Sequence, residues 1–385
     1  MRCIYSIGAC LGGVGVGTTG YHSAKGIHDH GRLERVLCAY HDQVEIPEDV
    51  VFDVLPGGGI TDKLLMRSAM LFGSPNGYAF KGGVYDRLAS RKIVDCDVFH
   101  GWSLQSLHSM RSARERGALA VLERPNSHIL TQKRILDEEF RRWDVKGRHV
   151  EDAEVSRGLI EYEEADVISV PSEFVRQSFI EEGVSKSKVH VTPYGYDSDV
   201  FSPGEKADDT FRVLFAGHIS CRKGVPYLLE AWERLGLEDA ELVLVGKVFP
   251  EMREMLGEYT GRFDNITVKG MVPSSQMVAE YRKASVFALP TLEEGFALVL
   301  FEALACGLPV ITTPNSGGAD IIDDGSGGFI VPVRDAESLA DRIKYLHENP
   351  DEAGSIGSSA VECVRDYTWK RYGERLIGLY ERVLA

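Results

Sequence analysis

Residues 286–310 read Val286-Phe287-Ala288-Leu289-Pro290-Thr291-Leu292-Glu293-Glu294-Gly295-Phe296-Ala297-Leu298-Val299-Leu300-Phe301-Glu302-Ala303-Leu304-Ala305-Cys306-Gly307-Leu308-Pro309-Val310. An apolar run stops at Pro290, a polar loop follows, and apolar residues at helical spacing take over from Phe296. The pattern predicts a buried strand, a loop and a helix, with Glu294 in the loop and Glu302 inside the helix. In open α/β sheets, ligands bind at the carboxyl ends of strands, where loops and helix N-termini converge. Glu294 is therefore expected to face a cleft. A carboxylate there reads hydroxyl groups, each charge-assisted hydrogen bond contributing roughly 1.5–3 kcal/mol. The plain alternative is that Glu294 is a solvated loop acid and Glu302 braces its own helix.

Outward from this window, strand-like apolar runs recur at residues 3–7, 36–38, 98–99, 119–122, 167–170, 189–192, 213–216, 242–245, 266–268 and 310–311, with longer amphipathic segments between them. Strand and helix in alternation specify a parallel sheet with helices on both faces. The weakest stretch is 56–93, where Gly57-Gly58-Gly59 and Gly82-Gly83 interrupt the periodicity, and irregular helices and loops are expected there. Residues 193–211 are turn-rich and charged, which marks an interdomain linker with a boundary near residue 205. A chain of 385 residues exceeds one ordinary core, so two domains of about 150–200 residues, and a cleft between them, are expected.

Composition narrows the function classes. A net charge of −15 speaks against a general nucleic-acid binder. No apolar run approaches the roughly 18 residues of a membrane span, and the opening Met1-Arg2-Cys3-Ile4-Tyr5 reads as a strand rather than a signal peptide. A cytoplasmic protein is expected, with peripheral contact at the inner membrane face left open by the basic residues of 131–149 (Lys133, Arg134, Arg141, Arg142, Lys146, Arg148) among Leu136, Phe140 and Trp143. Acids Asp137, Glu138, Glu139 and Asp144 favour a solvated amphipathic helix there instead. Seven scattered cysteines without a Cys-x-x-Cys pair indicate neither a disulfide framework nor a zinc site. Asp95-Cys96-Asp97 and His28-Asp29-His30 mimic metal motifs, but the first precedes a strand and the second closes a helix before Gly31, so no metal is expected.

Two further loops suit a phosphorylated ligand. After the strand at 213–216 come Gly217-His218-Ile219-Ser220-Cys221-Arg222-Lys223-Gly224 and a helix over 225–234. Arg222 and Lys223 at a helix start suit a diphosphate clamp. After the first strand, Gly12-Gly13-Val14-Gly15-Val16-Gly17 matches a Gly-x-Gly-x-x-Gly phosphate loop only in part. His128, at a strand exit, and His100, at another, are either ligand-facing or ordinary hydrogen-bonded histidines.

The spacing Glu294-x7-Glu302, followed by Ala303, Gly307, Pro309 and Val310, resembles the signature of the GT4-type retaining glycosyltransferases. The resemblance covers residues 165–385 well and the first 130 more loosely. It implies the α/β GT-B fold: two Rossmann-like, doubly wound parallel-sheet domains facing a cleft. Residues 1–205 would bind the acceptor, residues 206–366 the nucleotide sugar, and the helix of 367–385 would pack back on the first domain. By the same resemblance Glu302 holds the donor ribose, Glu294 lies beside the donor sugar with Gly295, Phe296, Ala297 and Leu298, and Lys223 contacts the pyrophosphate. Gly12 and Gly13 match the family's first glycine loop, and His128 a histidine near the donor sugar. His218 stands where the family usually carries an arginine, and whether Arg222 or His218 takes that role is open. Asp320 and Tyr194 replace a glutamate and an asparagine.

The implied reaction moves a sugar, with retention, from a nucleotide diphosphate sugar to a glycan, lipid-linked or small-molecule acceptor, with no further cofactor. Glu294, Lys223 and His128 are the catalytic candidates, acting chiefly through electrostatics. A GT-B nucleotide-sugar epimerase and a non-catalytic nucleotide-sugar-binding scaffold are the alternatives.

Overall fold

The computed structural model describes residues 1–42, 45–71, 77–206 and 208–385. Two seven-stranded sheets carry the molecule. The first contains β1 (Cys3–Leu11), β2 (Leu33–His41), β3 (Val51–Asp53), β4 (Val98–Trp102), β5 (Leu119–Glu123), β6 (Val167–Val170) and β7 (Val189–Val191), in the order β3-β2-β1-β4-β5-β6-β7. The second contains β8 (Phe211–Ala216), β9 (Ala240–Val245), β10 (Ile266–Gly270), β11 (Val286–Leu289), β12 (Val310–Thr312), β13 (Asp323–Asp324) and β14 (Gly327–Ile330), in the order β10-β9-β8-β11-β12-β14-β13. Every strand pair is parallel. Central strands such as β4 and β11 are buried along their whole length, which is why β11 reads as an unbroken apolar run rather than an alternating one. The strand order reverses direction between β1 and β4 in the first sheet and between β8 and β11 in the second. The loops leaving those strands diverge and open a crevice.

The glycine-rich stretch 56–93 departs from the sequence expectation of irregular structure. It holds two regular helices, Gly58–Leu71 and Tyr78–Ser90, and residues 72–76 lie outside the described ones. Gly57, at φ 81°, turns the chain into the first helix. Gly82 lets the second pack closely, since a Cβ there would fall 2.5 Å from the Leu104 carbonyl. These glycines serve turning and close packing, not helix breaking.

The last helix, Trp369–Leu384, returns to the first sheet and packs on the helix Val16–Asp29. Gly26 and Gly373 meet so closely that a Cβ on Gly373 would lie 2.9 Å from the Gly26 Cα. His22 stacks on Trp369 at 4.2 Å, and Ser23 Oγ lies 3.0 Å from the Tyr372 hydroxyl. A Gly373→Val variant is expected to lose about 1–3 kcal/mol to overpacking; a parental urea midpoint would show that the helices part without strain. In the connecting segment, Tyr194 packs between Phe296 and Tyr372, and Arg375 donates to the Pro193 carbonyl at 3.2 Å. Among the described residues no helix is long and apolar enough to cross a membrane.

Candidate functional site

The charged centre assembles where the loops after β8 and β11 leave the second sheet. A short turn, Cys221–Lys223, ends at Gly224, which has φ 70° and starts the helix Val225–Leu235. A Cβ on Gly224 would fall 1.8 Å from the Pro290 carbonyl, so glycine alone lets this helix begin against the β11 loop. The Arg222 carbonyl accepts from Leu292 N–H at 2.9 Å and from Thr291 Oγ at 3.2 Å. The two loops are thus stitched together before any side-chain charge is considered.

Lys223 Nζ makes its shortest contact with Glu294 Oε2. Arg222 reaches both neighbouring acids, Nη1 lying 3.2 Å from Glu293 Oε2 and Nη2 3.5 Å from Glu294 Oε2. Burial pushes the Glu294 carboxyl up, but Lys223 and Arg222 outweigh it and hold the group below its ordinary value. Burial lowers Lys223 despite the opposing pull of Glu294. Arg222 is desolvated too, yet the two glutamates raise it. The cluster is self-neutralising, with both cations engaged by carboxylates.

Glu302 occupies the helix Leu298–Ala305, two residues later in onset than the spacing from Phe296 suggests. Its Oε2 accepts from the Tyr281 hydroxyl at 2.8 Å. Burial raises the Glu302 carboxyl to about 7, and the Tyr281 bond opposes that shift. Phe296 stacks on Phe301 at 3.9 Å, and Ala297 is the N-cap residue of the helix, without a side-chain cap. The helix dipole therefore presents positive potential to the space beside Glu294. His218 is exposed and packs its ring on Phe249, while Arg222 lies inside the charged cluster.

On the first domain, Gly12 and Gly13 turn the chain at the carboxyl end of β1, Gly12 with φ 82°. The helix that follows has Gly15 at its N-cap and no capping side chain. His128 is 2 % exposed and caps the helix Ile129–Arg142, its Nδ1 accepting from Leu130 N–H at 3.4 Å. Its ring packs against Tyr162 and Phe179, and burial lowers it to about 4, so the imidazole is neutral. Its link to the charged cluster runs through the neighbouring Ser127. His100 is fully buried, 2.5 Å from the Tyr380 hydroxyl and 3.3 Å from Glu123, within a polar network that anchors the terminal helix.

Sequence reasoning passed over the residue that joins the two domains at this point. Glu293 is fully buried, and its Oε1 accepts from Ser127 N–H at 3.0 Å and Ser127 Oγ at 2.9 Å. Its Oε2 accepts from Gln132 Nε2 at 3.2 Å and from Arg222. Gly295 passes so near the first domain that a Cβ would fall 1.7 Å from the Pro125 carbonyl. Asp320 accepts from Glu173 N–H at 2.8 Å, another bond across the domains. The helix Ile129–Arg142 also differs from a solvated amphipathic helix: Glu139 is fully buried and accepts from Trp143 Nε1 at 2.6 Å, from the Tyr227 hydroxyl at 2.8 Å and from Arg334 Nε at 2.9 Å.

Residues 210–349 match the family model described as Glycosyl transferases group 1. The D-inositol 3-phosphate glycosyltransferase of Kribbella flavida is 30% identical over 221 residues, 51% of this chain and 52% of that protein. The chain thus spans about half the length of this curated relative. Sucrose-phosphate synthase from Thermosynechococcus elongatus superposes with a TM-score of 0.74 at 19% identity, covering 100% of this chain and 99% of that one. The Anabaena protein HepE, solved in complex with UDP-glucose, superposes with a TM-score of 0.70 at 14% identity over 99% of this chain and 100% of that one. The fold is GT-B.

Proposed function

We propose that this chain, whose residues 210–349 match the family model of the group 1 glycosyl transferases, is a retaining glycosyltransferase moving a sugar from a nucleotide diphosphate sugar to a glycan, lipid-linked or small-molecule acceptor. The observation that carries the reading is the buried meeting of Lys223, Arg222 and Glu294 at the β8 and β11 loops, with Glu302 on the helix that follows. In the free protein the cations are engaged by acids. A donor diphosphate exchanges these partners: it takes Lys223 and Arg222, and Glu294 is released to accept hydrogen bonds from the sugar hydroxyls. Charge that grows on the diphosphate as the glycosidic bond breaks is met by cations already in place, which is the preorganised electrostatic term of catalysis. Glu293 and Glu294 are each held by cations or hydrogen-bond donors, which suits positioning rather than nucleophilic attack. The same-face route to retention follows from the resemblance. Contacts across the domains through Glu293 and Gly295 favour exclusion of water.

The test is turnover with UDP-, GDP- and ADP-sugars and a panel of acceptors, with the anomeric configuration of the product read by NMR. Release of free sugar alone, or binding of a donor without turnover on any acceptor, would overturn the transferase reading.

Glu302 gives this proposal a pH signature. Its ionised form is the acceptor for ribose hydroxyls, and the free protein holds it up to about 7. Donor nucleotide affinity is therefore expected to rise about tenfold between pH 6 and pH 8, as a single group ionises, and to flatten in Glu302→Gln. Isothermal titration at the two pH values measures it. Stability runs the other way: a carboxyl raised in the fold binds more protons than the unfolded chain, so its contribution declines as pH rises from about 4.5 to 7.

A further inference from the structure

At the carboxyl ends of β2 and β3, three ligand-type side chains converge. The β2–β3 register sets Cys38 directly beside Asp53, and His41 closes β2 three residues further on. Cys38 Sγ lies 3.4 Å from Asp53 Oδ1, and His41 Nδ1 lies 2.8 Å from the same oxygen. One ligand atom from each of the three falls within 4.8 Å of the others, the group of this kind found among the described residues. A tetrahedral zinc ion with bonds of roughly 2.0–2.3 Å sets its ligands about 3.3–3.8 Å apart, which small side-chain adjustments supply here.

We propose that Cys38, His41 and Asp53 form a zinc-class divalent-cation site with an open fourth position for water. Thiolate, imidazole and carboxylate together select a borderline-soft ion over magnesium or calcium, which take oxygen ligands. The sulfur is buried in the sheet, whereas His41 and Asp53 have side chains 33% and 43% exposed, so the site has a protected anchor and an entry path from solvent. Loading replaces the thiol hydrogen by the metal: the ion bonds to sulfur, one proton leaves to water, and His41 presents its Nδ1 lone pair with its hydrogen on Nε2. Asp53 Oδ1, which accepts hydrogen bonds from both partners in the metal-free arrangement, becomes the third ligand. The ion would tie together β2 and β3 of the first sheet. The proposal rests on these three side chains alone and stands independently of the sugar transfer.

The test uses the full chain, stripped with chelator and titrated with cobalt(II). One equivalent is expected to give a near-ultraviolet thiolate-to-cobalt charge-transfer band with visible bands of tetrahedral intensity, displaced by equimolar zinc and not by magnesium. Cys38→Ser should abolish the charge-transfer band, and His41→Ala and Asp53→Asn should each weaken cobalt binding at least tenfold. Cys10→Ser, a thiol on the neighbouring β1, should leave it unchanged. Absence of the band at stoichiometric cobalt, or its survival in Cys38→Ser, overturns the assignment. His41 and Asp53 lie at the surface, so their variants carry the test if Cys38→Ser fails to fold.

Discussion

A Lys223→Met variant is expected to lose about 10²–10³ in kcat with its fold intact, because in the proposed reaction the cation removed is one of the preorganised groups facing the leaving diphosphate. Methionine retains most of the aliphatic bulk, and Arg222 remains to pair with Glu294, 3.5 Å away, so no buried carboxylate is left unpartnered. The partner variant separates binding from chemistry. Glu294→Gln frees Lys223 from its shortest contact; affinity for the nucleoside diphosphate should hold or tighten while turnover with the complete donor falls. A steady-state comparison of kcat and KM, with nucleotide affinity measured separately, checks both arms. If Lys223→Met keeps parental kcat, or if Glu294→Gln weakens the nucleotide as much as it slows turnover, the exchange of partners at this cluster is wrong.

What the chain disclosed in its sequence and what it withheld divide along a physical line. The placement of Glu294, Glu302, Arg222 and Lys223 on their loops and helix was legible because each is set by local order: a buried strand, a turn, then a helix. Their register follows from the 286–310 window and from Gly217 to Gly224. The parallel sheets were legible for the same reason, since strands buried on both faces read as continuous apolar runs. Short edge strands such as β3 and β13 were not, because three or two residues carry no periodicity. Glu293 and Glu139 were missed because their partners are remote, Ser127 lying 166 residues from Glu293 and Arg334 lying 195 residues from Glu139. Glu139 nevertheless left a signal. It sits at helical spacing between Leu136 and Trp143, on the face that also carries Phe140, and an acid on an apolar stripe is stable there only when paired. Arg334, at φ 63°, holds a backbone conformation that side chains seldom adopt, and it is the residue that supplies that partner. Glu293 left none, because beside Glu294 it reads as one more loop acid.

Glu293 carries the second large prediction. Its two oxygens hold Ser127 and Gln132 of the first domain and Arg222 of the second, so a single carboxylate fixes the Arg222 guanidinium against the loop that leads to His128. Glu293→Ala leaves the buried Ser127 donors and the half-buried Gln132 amide without their acceptor, at about 1–3 kcal/mol for each buried group. A total loss of roughly 2–5 kcal/mol is expected by urea unfolding. Glu293→Gln is the sharper test of function. The amide keeps the volume and one acceptor oxygen for Ser127, but turns N–H groups toward Arg222 and Gln132, which are themselves donors. Stability should fall less than in the alanine variant, while transfer slows at least tenfold and the share of donor lost to water rises, since weaker contact between the domains admits solvent beside the sugar. The ratio of hydrolysis to transfer is the decisive readout, because a purely structural strut would lower the amount of folded enzyme and leave that ratio where it was.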